Sequence, residues 1–199
     1  LLDKVIKEIK PLDAAIMEEA QEKLNALLKP AGSLGKLEDL VKQNAGITGN
    51  IYAEFKKKAV IVMAADNGVY EEGVGATPQA VSLLVADAMT KNLAGVSVLA
   101  AHAGAEVFVV DVGLLPDVDN PKIINKKIRH STGNIRKEPA MTREEALKGI
   151  EIGIEMVMDL SAKGYDIFAT GEVGICNTTT SSAILKAVSG EPTETLTGR

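Results

Sequence analysis

Residues 166–188 constrain this chain more than any other stretch. The apolar run Asp166-Ile-Phe-Ala-Thr170 leads into Gly171-Glu-Val-Gly-Ile-Cys-Asn-Thr-Thr-Thr-Ser-Ser182, and Ala183-Ile-Leu-Lys-Ala-Val188 follows. A short apolar run, a tight polar segment and a run with helical spacing predict strand, loop and helix in that order. Gly171 and Gly174 let the backbone bend and approach a ligand closely. Asn177, Thr178 and Thr179 carry oxygens suited to capping the helix start. That start has unpaired N–H groups and a partial positive charge, which suit a phosphate. An ordinary capped turn would show the same spacing, and the segment matches neither the P-loop nor the dinucleotide fingerprint. Glu172 is the one fixed negative charge of the loop, so repulsion turns it toward some part of a ligand other than a phosphate.

Two further apolar runs read as buried strands. Ala59 to Ala65 is rich in Val and Ile, and Glu106 to Val112 ends with Asp111 and then Gly113. Helical spacing runs from Leu12 to Leu28, with Asp13 as N-cap and Pro30 beyond the end. Ser33 is placed to cap a second helix carrying Leu34, Leu37, Leu40 and Val41. Residues 80–103 read as helix broken near Gly95, and a long loop reaches to about Met141. Thr142 with Glu145 makes a capping box. The helix after it carries Leu147, Ile150, Ile154, Val157 and Leu160, and Gly164 stops it.

Strands alternating with helices predict a doubly wound α/β fold, a mainly parallel sheet with helices on both faces. An N-terminal helical cap region, 1–50, precedes a nucleotide-binding core, 51–199. Three strands are few for an open sheet. Ligands of such sheets bind outside the carboxyl ends of the strands, where Asp66, Asp111 and Gly171 all fall.

Composition narrows the function. At 199 residues, 46% of them hydrophobic, the chain can bury a sizeable core. Its net charge of −5 and lack of a dense basic cluster argue against nucleic acid. Lys56-Lys57-Lys58 reads as a solvated loop before a strand. No apolar stretch is expected to span a membrane, and no secretory signal is evident at the amphipathic N-terminus. The single cysteine forbids an internal disulfide and fits a reducing cytoplasm. No cluster has metal-ligand spacing. His102, in a helix, and His130, in a loop, are read as structural.

Three motifs bring a resemblance. Gly171-Glu-Val-Gly-Ile-Cys-Asn-Thr-Thr179 resembles the signature loop of nicotinate-nucleotide–dimethylbenzimidazole phosphoribosyltransferases. Lys29-Pro-Ala-Gly-Ser-Leu-Gly-Lys-Leu-Glu38 and Ala65-Asp-Asn-Gly-Val69, with Glu72-Gly-Val74 and Pro78-Gln79, resemble the same family in the same order. Weaker echoes are Val110 to Gly113, Gly133 to Ile135 and Pro139 to Met141. The resemblance covers nearly the whole chain and implies the N-terminal part of a longer protein.

It implies transfer of the phosphoribosyl group of nicotinate mononucleotide to 5,6-dimethylbenzimidazole or a related aromatic base, with no cofactor and no metal, by a homodimer. Gly174, Ile175, Cys176, Asn177, Thr178 and Thr179 match the phosphate segment. Asp66 and Gln79 match the base pocket. Glu172 matches a supporting carboxylate, and the family's general base falls beyond residue 199. Lys29 to Leu37 is read as ordering the cap region. Asn67 stands where many members carry His, and Cys176 where Gly or Ala is usual. Two readings from other classes stay open: a catalytically idle nucleotide- or phosphate-binding module, and a metal-dependent nucleotide hydrolase using Asp66 and Asp111.

Overall fold

Alternation along the first strand fixes the layers. In the computed structural model, which describes residues 1–197, strand β1 (Lys58–Ala65) sends Ala59, Ile61 and Met63 to one side and Val60, Val62 and Ala64 to the other. Successive side chains of a strand point to opposite faces, so a strand with apolar residues at both parities must be covered twice. One cover is α6 (Arg143–Ala162), whose Ile152, Met156 and Leu160 recur at helical spacing and are buried against Ile61 and Val110. The other is α4 (Val81–Thr90) with α5 (Gly95–His102), where Ala86 and Met89 meet Val62, Ala64 and Val109.

Among the described residues four strands form the sheet, all parallel, in the order β3-β2-β1-β4. β2 is Ala105–Gly113, β3 is Ile123–Asn125 and β4 is Ile167–Val173. The doubly wound expectation holds. The three-strand count does not: β3 lies inside the stretch read as loop. Three residues are too short for a periodic signal, and the strand forms because Ile123 and Ile124 pair with Val109 and Val110 and cover opposite faces. β4 also runs further than expected. Gly171 and Glu172 are strand residues opposite Val62 and Met63, and the turn begins only at Gly174.

By length and composition Val81–His102 could cross a membrane, contrary to the reading that no stretch approaches this. Here the segment is two helices, of 10 and 8 residues, that turn between Lys91 and Ala94 and lay apolar residues on the sheet. The lysine run is not a free loop either. Lys58 opens β1 and its ammonium donates to the Ala103 carbonyl at 2.9 Å, while Lys57 donates to the Lys163 carbonyl and stands 4.0 Å from the Tyr165 ring centroid. Tyr165 meets Phe108 edge-on and donates its hydroxyl to Glu106, which with burial pushes the phenol up to about 12.

Residues 1–56 form a separate helical unit. It holds α1 (Leu2–Glu8), α2 (Ala14–Ala26) and α3 (Lys36–Thr48). Asp13 caps α2, accepting from the Ala15 and Ile16 amides. α3 approaches α2 closely at Gly46, where a Cβ would meet Met17 Cγ at 2.7 Å. Gly35, not Ser33, precedes α3; at φ 55 it takes a conformation that serine avoids. The Lys29 to Glu38 motif closes on itself. Glu38 accepts from Lys29 Nζ at 2.8 Å and from the Leu34 amide, and the ammonium holds its carboxyl below the usual range. Tyr52 is exposed in this unit, with Lys23 above its ring.

Ile152→Ala is expected to cost about 2–5 kcal/mol, the range for truncating a buried aliphatic side chain. The urea midpoint followed by circular dichroism should fall accordingly. An unchanged midpoint would mean that α6 does not cover the sheet as described.

Candidate functional site

The strand order reverses at β1: the chain moves from β1 to β2 and β3 on one side, then returns to place β4 on the other. Such a reversal splits the connections apart at the carboxyl ends of the two strands and leaves a crevice. Asp66 and Asn67 follow β1 there, and Gly174 follows β4. Gln79, ahead of α4, donates from Nε2 to the Asn67 carbonyl at 3.4 Å. Asn67 links two of the segments singled out in the sequence, accepting from Gln79 through its carbonyl and donating to the Ile175 carbonyl, while Glu172 joins residues 174–179 through Asn177. His102 is the exposed last residue of α5, and His130 lies in the loop after β3 with its Nδ1 2.8 Å from the Leu115 carbonyl.

Asp66 is 1% exposed. Its amide donates to the Gly113 carbonyl, its carbonyl accepts from Thr132, and Oδ2 accepts from the Leu115 amide at 2.8 Å. Oδ1 is buried without a hydrogen bond among the described residues. Asp111 is spent otherwise. Oδ1 accepts from the Gly113 and Leu114 amides, and Oδ2 faces Lys127 Nζ at 3.3 Å. That partly buried ammonium also donates to the Leu114 and Pro116 carbonyls at 2.6 Å each, so Asp111 holds a loop rather than an open site.

Gly174 needs its missing side chain for the protein itself rather than for a ligand. A Cβ there would stand 1.9 Å from the Ala65 carbonyl oxygen. Helix α7 (Asn177–Ser189) opens at Cys176, which takes a left-handed φ of 68 with no side-chain cap. The capping expectation for Asn177, Thr178 and Thr179 fails in its details. Asn177 Nδ2 donates to Glu172 Oε1 at 2.6 Å, Asn177 Oδ1 accepts from the Thr178 amide at 2.9 Å, and the Thr179 amide donates to the Cys176 carbonyl at 3.1 Å. The helix begins at Asn177, the first of the capping candidates, so all three become its first turn. Glu172 and Thr178 remain exposed, and burial pushes the Cys176 thiol up.

The sequence alone did not single out Ser82, Thr132 or Thr180. Ser82 Oγ accepts from the Ile175 amide at 2.9 Å, Thr132 Oγ1 from Gly68 at 3.1 Å, and Thr180 Oγ1 lies 3.4 Å from Asn67 Oδ1. A serine on the apolar face of a helix is the one signal that could have found Ser82. Among the described residues no group of three or more His, Cys, Asp and Glu could hold a metal ion. An apolar groove of about 600 Å³ beside Leu99 and Phe168 lies along the strands, away from these groups.

Residues 9–199 match the family described as phosphoribosyltransferase. The chain belongs to that family. The nicotinate-nucleotide–dimethylbenzimidazole phosphoribosyltransferase of Clostridium tetani is 45% identical over 199 residues, covering 100% of this chain and 55% of that protein. The protein of the same name from Ruminiclostridium cellulolyticum is 48% identical over 197 residues, 99% of this chain and 56% of that protein. The crystal structure of the namesake from Thermus thermophilus superposes with a TM-score of 0.87 at 35% identity, over 91% of this chain and 55% of that one. The chain thus spans about half the length of the relatives it matches.

One charged network ties the turn after β1 to the loop before α6. The 3-10 turn Gly68–Glu72 presents Glu71 and Glu72 to Asn134, Arg136 and Lys137. Hydrogen bonds from Lys137 to Glu71 and from Asn134 and Arg136 to Glu72 hold both carboxyls below their usual range. A carboxyl lowered in the folded state adds stability above its unfolded pKa, and that stability is lost as pH falls through the folded value. Stability should therefore decline below about pH 4.5, the ordinary glutamate value. The double variant Arg136→Met with Lys137→Met should show a shallower acid decline in urea denaturation. Equal slopes for both proteins would discount the network.

Proposed function

We propose that this chain supplies the nucleotide-binding portion of an enzyme that moves the phosphoribosyl group of nicotinate mononucleotide to 5,6-dimethylbenzimidazole or a related aromatic base. The product would be an α-ribazole phosphate for assembly of the cobalamin nucleotide loop. The observation that carries this reading is the meeting of Asn67, Gln79, Glu172 and the signature turn at the reversal between β1 and β4, in a chain of this family.

In this reading the bond from the ribose carbon to the nicotinate nitrogen breaks as the base nitrogen attacks from the opposite face. The pyridinium nitrogen is already cationic, so nicotinate leaves without taking a proton. The incoming base must lose one, which calls for a carboxylate base. The family resemblance assigns that base beyond residue 199. Glu172, held by Asn177 beside the turn, acts in support, near the ribose or the reacting base. Residues 174–179 and the start of α7 take the phosphate end, where the helix dipole favours negative charge. Asp66 and Gln79 line the side of the base. We place the reaction in the cytoplasm and assign it to a homodimer. A native mass equal to one chain would remove the dimer.

In a protein of the family's length, Asn177→Ala with Thr178→Ala should weaken nicotinate mononucleotide binding by about 10–150-fold, matching roughly 1.5–3 kcal/mol for lost hydrogen bonds to a charged group. Glu172→Gln should lower turnover while stability stays within about 0.5 kcal/mol, as for an exposed position. Calorimetry showing unchanged affinity, or a Glu172→Gln enzyme with normal turnover, would defeat these assignments.

A further inference from the structure

Ile175 lies between two residues with unusual backbone demands. Before it, Gly174 packs against the Ala65 carbonyl; after it, Cys176 is left-handed without being glycine. Such a conformation persists only where the surroundings impose it. Both polar groups of Ile175 are held from outside the signature segment. Its amide donates to Ser82 Oγ at 2.9 Å, from a residue 93 positions away. Its carbonyl accepts from Asn67 Nδ2 at 2.8 Å, from a residue 108 positions away. Ser82 is 1% and Asn67 9% exposed, so neither partner is easily replaced by water.

The two bonds fix the peptide planes on either side of Ile175, and the second plane sets φ of Cys176. From that residue the first turn of α7 is built, because the Cys176 carbonyl accepts from Thr179. Asn67 reaches this turn a second time through Thr180 Oγ1 at 3.4 Å, and its own carbonyl accepts from Gln79.

We infer that Ser82 and Asn67 are positioning residues, a two-point clamp on the Ile175 peptide that aims the signature turn and the start of α7 at the phosphoribosyl donor. Neither needs to touch substrate. The inference rests on the proposed function for its kinetic consequence but not for its geometry. Asn67 suits the task because its amide offers a donor to Ile175 and an acceptor to Thr180 from one short side chain.

The chain's one cysteine follows the clamp directly and is buried, with Gly75 so close that a Cβ there would lie 3.0 Å from Sγ. It reports the clamp without any assay of activity. In this chain, Ser82→Ala and Asn67→Asp should each speed modification of Cys176 by dithiobis(nitrobenzoate) by about tenfold beyond what their loss of global stability explains, the scale of one lost buried hydrogen bond. Asn67→Asp keeps the shape and turns an acceptor toward the Ile175 carbonyl. Ser97→Ala removes another buried hydroxyl, bonded to the Ala94 carbonyl at the start of α5, and should leave the rate unchanged.

In a protein of the family's length, Ser82→Ala should raise KM for nicotinate mononucleotide and leave KM for the aromatic acceptor unchanged. Labelling that merely follows global stability in both variants, or KM values that rise together for donor and acceptor, would overturn the clamp. If the unsubstituted protein fails to bind nicotinate mononucleotide, the proposed function falls, and the thiol rates alone decide the clamp.

Discussion

Strand β1 is the constraint on which the other elements depend. It is paired along its length on both sides, with β2 in one direction and β4 in the other. It is also covered on both faces, so its positions must be apolar and several must be small. Ala59 and Ala64 are 2% and 0% exposed, and a larger side chain at either would push a covering helix off the sheet. Because β1 is the point of reversal, whatever follows it stands in the crevice. Asp66 and Asn67 owe their place to the sheet rather than to any local signal.

The crevice is held mostly by polar groups of the protein itself. The amides of Ile175, Asn177, Thr178 and Thr179 all have partners within the chain. The phosphate of the proposed function meets a helix start oriented in advance rather than a ring of open donors, which leaves its attraction to the dipole and to side chains at the mouth. The two strand-end aspartates divide their work. Asp111 is paired with a partly buried lysine that also gathers two carbonyls, a stiff joint between β2 and the loop beyond it. Asp66 is held by a backbone amide instead, and its other oxygen keeps acceptor capacity inside the protein.

Long elements with a clear period were legible in the sequence: β1, β2, the capped helix from Thr142, the two helices divided before Gly95, and α2 from its Asp13 cap. β3 was not, because a three-residue strand is made by its neighbours. The end of β4 was misjudged at Gly171 for a related reason: glycine reads locally as a turn, whereas here it is a strand residue paired with Val62, whose Cγ2 lies 3.2 Å from where a Cβ would stand. The signature segment was legible as a place but not as a mechanism of folding. Its glycine serves a carbonyl contact, its capping residues became the first turn, and its two buried partners, Asn67 and Ser82, lie about a hundred residues earlier, beyond the reach of any spacing argument.

The cluster of Tyr165, Phe108 and Lys57 at the amino ends of the strands has an optical consequence. The chain has no tryptophan and only three tyrosines. One stands in the N-terminal helical unit, one beside the crevice turn and one in the sheet core. Tyr52 is exposed to solvent, while Tyr165 is packed edge-on and keeps its proton to about 12. Tyrosine absorbance and emission in this chain therefore draw on three differently placed rings, of which Tyr165 belongs to the sheet core. Because contact with Glu106 and burial hold the Tyr165 proton, its ionisation well below about 12 would mark opening of the sheet core.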